Sequence, residues 1–552
     1  MRGLLNIKKE REGVIMKRKI SLLLAIVMTM GLFAACGKDG NVEALPGETV
    51  TLNIGIPQNS NVTDYYENTF TKYLEENANV KLEFTLLSGT DSEAKQQLAL
   101  MCSANEKLPD IILGVAFDHY IVNQYGEDGY FIDLTGYIEK YAPNYEKQLE
   151  NLDKETKEYV VEKSKNLEDN AFYGMPRVLC EAFDDTQSLT YINQKWLDEL
   201  GLKVPTTTAE LKTVLDAFRT KDPNGNGETD EIPMIGKDGI INYLLNAYVR
   251  YEQITYNVTD GKVWDPIKTD EFREGVIYAN ELVATGNYSK LSFSITSNSE
   301  YKALISPVGN PSKVGVFTGN HTLMTNPTTD AKAEFTALPA LKDETGKGGY
   351  TIVNDPDISW TACITKDCEY PAAAMKLIDT FYMDETVSRQ RFGEKDVDWT
   401  YKEGKNACGT ESYVNVINGE AFFSGSSTWG RNMCGIMTQW NYLDVPAAAA
   451  NKNSVESQRL VAEQWKCAQE GKQPKERATR LTYTTEEYAI REEKSSDVLD
   501  YINEQITLFV TGEKNPKDNA AWDEFIKTAD KLGRKELMEI CQKAYDRKVD
   551  AK

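Results

Sequence analysis

The chain has 552 residues, 41% hydrophobic and 10% aromatic, with a formal net charge of -23. That length exceeds what one hydrophobic core supports and calls for two or three domains. The acidity argues against nucleic acid and anionic membrane surfaces as partners, and nine cysteines without a CxxC pair argue against a zinc site.

Taken in chain order, the first element runs from Met16 to Cys36. Lys17, Arg18 and Lys19 precede an apolar run from Ile20 to Phe33, then Ala34, Ala35 and Cys36. A basic head, an apolar middle and a small-residue cleavage site form a secretory signal. The run is shorter than the roughly 20 apolar residues of a membrane span. Phe33-Ala34-Ala35-Cys36 resembles a bacterial lipobox, with Phe33 where Leu is usual; the resemblance implies that the Cys36 thiol carries diacylglycerol and becomes the mature N-terminus. Two acyl chains hold a protein stably at a membrane, each buried CH₂ contributing about 0.8 kcal/mol. Residues 1–15 lie upstream of this signal, so the true start is expected at Met16, with 1–35 removed. That segment carries seven basic and two acidic residues, which leaves the mature chain near -28. Residues 36–48 read as a polar, lipidated tether.

Thr51–Ile56 and Val80–Leu87 alternate as strands do, Leu108–Leu113 reads as a buried strand, and Tyr65–Glu76 and Asp91–Ser103 read as helices. This β-α-β-α-β order predicts a parallel sheet covered by helices. Ligands sit beyond the carboxyl ends of such strands, here the loops Pro57–Tyr66, Ser88–Asp91 and Gly114–Asp118. Leu189–Asn193 is a further strand, Gln194–Leu200 a helix stopped by Gly201, and Thr207 with Glu210 has capping-box spacing. From 211 to 350 the pattern reads as mainly helical. Ile358–Ile364 is a strand, Pro371–Met383 a helix with Pro in its first turn, and 496–550 a mostly helical tail. His119 and His321 are expected at the surface or in loops. Of the eight cysteines beyond Cys36 (102, 180, 363, 368, 408, 434, 467 and 541), Cys363 and Cys368 form the one close pair, and a bridge between them is disfavoured if both lie on or just after one strand.

Tyr191-Ile192-Asn193 with Trp196-Leu197 and Leu200-Gly201-Leu202, Pro205-Thr206-Thr207 with Glu210-Leu211, Gly393 through Asp398-Trp399, Trp522-Asp523, Leu532-Gly533 and Gln542–Arg547 follow one another in a telling order. Together they resemble the extracellular solute-binding lipoproteins of ABC importers, the large sugar-binding type that includes alginate-oligosaccharide-binding proteins. The resemblance implies an α/β, two-lobed, periplasmic-binding-protein-like fold with hinge crossings. One lobe is expected from 49–180 and about 355–425, the other from about 186–350 and 430–552. It also implies capture of a carbohydrate between the lobes and delivery to ABC permease subunits, at the outer face of the cell membrane, with no catalysis.

Asp222-Pro223-Asn224-Gly225-Asn226-Gly227-Glu228-Thr229-Asp230-Glu231 is the sharpest local motif. Its oxygen side chains fall at relative positions 1, 3, 5, 9 and 10, with Gly227 where a calcium loop turns sharply. Asp222, Asn224, Asn226, Asp230 and Glu231 are the expected side-chain ligands and Glu228 the carbonyl ligand of a structural calcium. Pro233 replaces the usual bidentate Glu at position 12, so Glu231 takes over, as in the alginate-binding relatives. The alternative is an ion-free Asn/Gly turn.

For the sugar, aromatic planes cover C–H faces and polar side chains bond hydroxyls. Trp360, Asp398, Trp399 and Trp429, set among small polar residues, are candidate ligand contacts or packing residues. Arg177 is a candidate ligand hydrogen-bonder or a surface ion pair, and Trp196, inside a helix, is expected in the core. Two other functions use the same features. A surface glycoside hydrolase needs two carboxylates about 5 to 9.5 Å apart, and no motif nominates such a pair. A sensor subunit presenting ligand to a membrane receptor could have the same fold.

Overall fold

The computed structural model describes residues 45 and 47–550, apart from 180–188, 237–238, 254, 296, 321–324, 326–329, 353–354, 406–407, 410, 419–426, 430–432 and 438–451. The signal segment, Cys36, Cys180 and His321 lie outside the described residues. In chain order the strands are β1 (Val50–Pro57), β2 (Val80–Leu87), β3 (Ile111–Phe117), β4 (Met175–Leu179), β5 (Thr190–Asn193), β6 (Ile232–Ile235), β7 (Asn257–Thr259), β8 (Lys262–Trp264), β9 (Val314–Thr318), β10 (Phe335–Ala337), β11 (Asp357–Ile364), β12 (Trp399–Lys405), β13 (Glu411–Val416) and β14 (Gly435–Met437).

Two sheets organise the chain. The first runs β14-β4-β11-β3-β1-β2 and the second β10-β5-β9-β6, with β12-β13 and β7-β8 as separate hairpins. As the alternating pattern predicts, β1 lies parallel to both β2 and β3. The two helices between them start at caps: Asn68 accepts from the Phe70 amide and Thr90 from the Glu93 amide. β3 is apolar through its length and sits inside the sheet, whereas edge strand β2 alternates between buried and exposed positions in its first half. β11 then returns antiparallel to β3 and β4. The first core packs Leu52, Ile54, Phe70 and Leu74 with the helix Pro371–Thr380.

The chain passes between the sheets three times: from β4 to β5, from β10 to β11, and from β14 to the helix Lys452–Glu470, whose Leu460 packs with Tyr191 and Phe317. These are the crossings of a two-lobed α/β fold. The boundary expected near 425–430 moves. β14 pairs with β4, and Trp429 packs on Phe70 and Phe84, so the first lobe keeps the chain to Met437. The reading of 211–350 as mainly helical is corrected as well, because β6, β9 and β10 build most of the second sheet. Their runs of three to five residues are buried nearly throughout, so no period-2 signal survives.

The tail forms the helices Thr485–Thr511, Asn519–Leu532 and Arg534–Asp550, the first opened by a full capping box of Thr484 and Glu487. Val498, Ile502, Phe509, Trp522 and Phe525 join Trp196, Leu215 and Phe218 in the second core. The Arg534 guanidinium, with no exposure, donates to both oxygens of Asp265 at 2.7 and 3.0 Å and lies 4.1 Å from the Tyr256 ring centre. Among the described residues Cys102, Cys363, Cys434, Cys467 and Cys541 are free thiols, so Cys363 is not bridged to Cys368. Among the described residues no helix is long and apolar enough to cross a membrane.

Candidate functional site

The carboxyl end of β3 carries the first cluster. Asp118 caps the helix His119–Glu127 by accepting from the Tyr120 and Ile121 amides. His119 is buried, against the expectation of a surface residue, because this helix packs on β11. Its ring lies 5.5 Å from that of Trp360, and its Nδ1 lies 3.4 Å from Asn123 Nδ2. Burial, and secondly the neighbouring Lys163 ammonium, push the His119 pKa down to about 3. In an unfolded chain the imidazole takes up a proton near pH 6.5. Stability is therefore full above pH 6.5 and falls on acidification toward pH 3, by up to about 1.4 kcal/mol per pH unit for this one group. Urea denaturation of wild type and His119→Gln at pH 7 and 5 should show a smaller acid loss in the variant.

Trp360 sits opposite Phe117 across the β11–β3 pair. It is 3% exposed, and its indole Nε1 has no hydrogen-bond partner; nor does Asn123 Oδ1. Buried donors almost always find partners, so this corner is short of one polar group.

Beside it the two lobes touch. The Tyr120 ring stacks on Tyr488, centroids 3.5 Å apart and planes at 19°. Tyr120 Oη donates to the Tyr483 carbonyl at 3.0 Å and accepts from the Tyr483 amide at 2.9 Å. Lys163 Nζ donates to the Leu481 carbonyl at 2.5 Å, and Arg480 Nε to Asp355 at 2.9 Å. From this contact the helix Thr485–Thr511 runs into the second lobe, and at 1.5 Å per residue Asn503 lies about 22 Å beyond Tyr488.

A cavity of about 480 Å³ opens there, at the carboxyl end of β6, within the size range of small-molecule sites. Gly239, at φ 84°, starts the helix Ile240–Leu245 on its rim. Asn242, Gln253, Asn503, Thr507, Tyr288 and Phe293 line it. None of the six stands out in the sequence, since β6 carries no strand signal and Asn503 sits on an ordinary-looking polar helix face.

The loop 222–231 is a tight turn held by its own side chains. Asp222 accepts from the Gly225, Asn226 and Gly227 amides at 2.8–3.1 Å, Asn224 Oδ1 from Asn226 N, and Asn226 Oδ1 from Glu228 N. Gly225 and Gly227 take φ of 71° and 78°, where a Cβ would be strained. Asp230 Oδ1 accepts from both Asn224 and Asn226 side-chain amides, and Oδ2 lies 2.6 Å from Lys313 Nζ. Glu231, at the entry to β6, has both carboxylate oxygens buried without a hydrogen bond. Burial, then repulsion by Asp222 and Asp230, raises its pKa. Among the described residues no three His, Cys, Asp or Glu side chains converge closely enough to hold a metal. Two of the loop's oxygens come from asparagines instead, and the orphaned Glu231 carboxylate is the stronger sign that a cation fits here.

Three sequence-nominated residues turn out to be packing residues. Trp399 is fully buried and its Nε1 donates to the Gly393 carbonyl at 2.9 Å. Trp429 is 1% exposed and its Nε1 donates to Thr71 Oγ1 at 2.9 Å. Asp398 is buried and accepts from the Glu394 amide, Asn418 Nδ2 and Ser427 Oγ, pinning two loops together. In each case the side chain is buried and its polar atoms are bonded within the first lobe. Arg177 takes the ion-pair alternative: it bonds Asp357 and Ser359 Oγ. Trp196 is core, as expected.

Residues 59–387 match the bacterial extracellular solute-binding protein family. The chain belongs to that family. Among curated relatives, the fructooligosaccharide ABC transporter substrate-binding protein FusA of Streptococcus pneumoniae is 30% identical over 295 residues, 51% of this chain and 52% of FusA. The chain thus spans about half the length of the curated relatives it matches. The structure of a S. pneumoniae FusA EF-hand mutant in complex with fructo-nystose superposes with a TM-score of 0.69 at 21% identity, covering 91% of this chain and 100% of that one. The alginate-binding protein AlgQ2 without calcium ion gives 0.61 at 19%, covering 91% and 99%. At these identities the likeness is one of fold, and it agrees with the two-sheet, three-crossing architecture of this solute-binding protein. The family is extracytoplasmic.

Proposed function

We propose that this solute-binding protein captures a carbohydrate between its lobes and hands it to an ABC transporter permease, without chemistry of its own. The observation that carries the reading is the cavity at the carboxyl end of β6, lined by amides, hydroxyls and aromatic rings of the second lobe, with the helix Thr485–Thr511 running from its wall to the contact between the lobes. Periplasmic binding proteins close about hinges around their ligands. A ligand that touches both lobes only when they are together stabilises that closed form. On the first-lobe side, Trp360 is the ligand residue we retain, because its indole N–H alone among the nominated tryptophans lacks an acceptor. Arg177, engaged by Asp357, falls outside the ligand contacts of this reading. The names of curated relatives, which include fructooligosaccharide- and polygalacturonan/rhamnogalacturonan-binding proteins, support a glycan ligand.

Calcium belongs to the same reading: Asp222, Asn224, Asn226, Asp230 and Glu231 with the Glu228 carbonyl would hold it, and its positive charge would offset Glu231 at the entry to β6. The existence of a FusA EF-hand mutant supports it. Acylation of Cys36 would hold the protein at the outer face of the membrane, and metabolic labelling with a fatty-acid analogue, lost in Cys36→Ala, tests it. Capture is tested by thermal shift against a glycan array, with chromatography of the glycans after incubation. A ligand-dependent rise in melting temperature with glycans recovered intact is expected, and cleaved products would overturn the reading in favour of a hydrolase.

A further inference from the structure

We propose that the crevice of this protein is built for a neutral glycan and rejects uronates. The inference rests on the carbohydrate-capture reading and adds the charge class of the sugar.

Asn242, Gln253, Asn503, Ser292, Thr507 and Tyr288 give the cavity its polar groups, and none of its described lining residues is charged. Amides and hydroxyls both donate and accept, which suits the alternating donor and acceptor roles of sugar hydroxyls. They offer no counter-charge to a carboxylate. An ionised carboxylate taken out of water without a cation partner is strongly disfavoured.

Cations at and around the contact between the lobes are engaged, Arg477 also lying 4.0 Å from Asp355. Arg177 bonds Asp357, Arg480 bonds Asp355 with Glu155 4.0 Å away, and Arg250 bonds Glu252. Lys163 is buried on the Leu481 carbonyl, and Arg491 lies 4.2 Å over the Tyr483 ring. Acidic groups face the same region: Asp118 and Glu492 both act on Tyr488. The -23 charge of the whole chain adds to that negative field.

Isothermal titration of the full-length mature protein, with calcium present, against kestose, maltotriose, xylotriose, galactotriose and trigalacturonate tests this. The last two differ chiefly in the acid at C6. At least one neutral trisaccharide is expected to bind with Kd below about 100 µM. Its Kd should change by less than about twofold between low and high salt, since no ion pair is screened. Asn503→Ala should weaken it about tenfold, the worth of one hydrogen bond, at unchanged Tm. Trigalacturonate should give no heat. Trigalacturonate binding tighter than every neutral sugar would overturn the charge class and leave glycan capture standing. No heat from any of the five would overturn glycan capture and the inference with it. Wild-type affinity in Asn503→Ala would overturn the assignment of the ligand to this cavity.

Discussion

Removing calcium with a chelator is expected to lower the melting temperature by about 2–5 °C relative to millimolar calcium, corresponding to about 2.7 kcal/mol of linkage at a hundredfold excess over Kd. The reason lies in Glu231. Its two carboxylate oxygens are buried and unbonded, and Asp222 and Asp230 repel its charge. Lys313 pairs with Asp230 and leaves Glu231 unrelieved. An ion in the loop would meet the one carboxylate of this loop that the protein leaves unserved, and β6 begins at the next residue, so loop and sheet should respond together. Glu231→Gln should melt in chelator no lower than wild type, because it removes the unpaired charge, and should lose most of the calcium response. Identical melting of wild type with and without calcium would remove the ion from the loop.

Asp265→Ala is expected to cost about 3–5 kcal/mol, read by urea denaturation. The carboxylate holds the fully buried Arg534 through two hydrogen bonds, and Arg534 opens the last helix against Tyr256. Alanine leaves the guanidinium without its counter-charge in the core. Arg534→Met in the same chain should recover much of that loss, since an apolar residue of similar length needs no partner. If the double variant is as unstable as the two single losses added, the pair is not acting as an ion pair.

Much of the first lobe could be read from the sequence because local signals there agree. Asn68, Thr90 and Asp118 each cap a helix that follows a strand of clear pattern. The second sheet was hidden because Ile232–Ile235 is a four-residue run buried on nearly every side, and periodicity carries no information at that length. Thr207 and Glu210 show how far a motif can be trusted. Thr207 does accept from the Glu210 amide, but the Glu210 carboxylate bonds Thr206 one residue early. The tight turn of residues 222–231 was legible down to its glycines, since its hydrogen bonds are local. The proposed ligand residues were not. A tryptophan among small polar residues in a loop looks the same whether it stacks on a sugar or plugs a core. Trp399 and Trp429 plug cores, the latter through long-range partners such as Thr71 and Phe70. Asn503 becomes meaningful only when a helix of 27 residues is laid beside β6.

The central claim is that one glycan is held by both lobes at once. Calorimetric titration of the tightest-binding glycan into Trp360→Phe and Asn503→Ala, one substitution from each lobe, measures it most directly. Each variant should weaken binding about tenfold while folding as wild type. Unchanged affinity in either variant would contradict it.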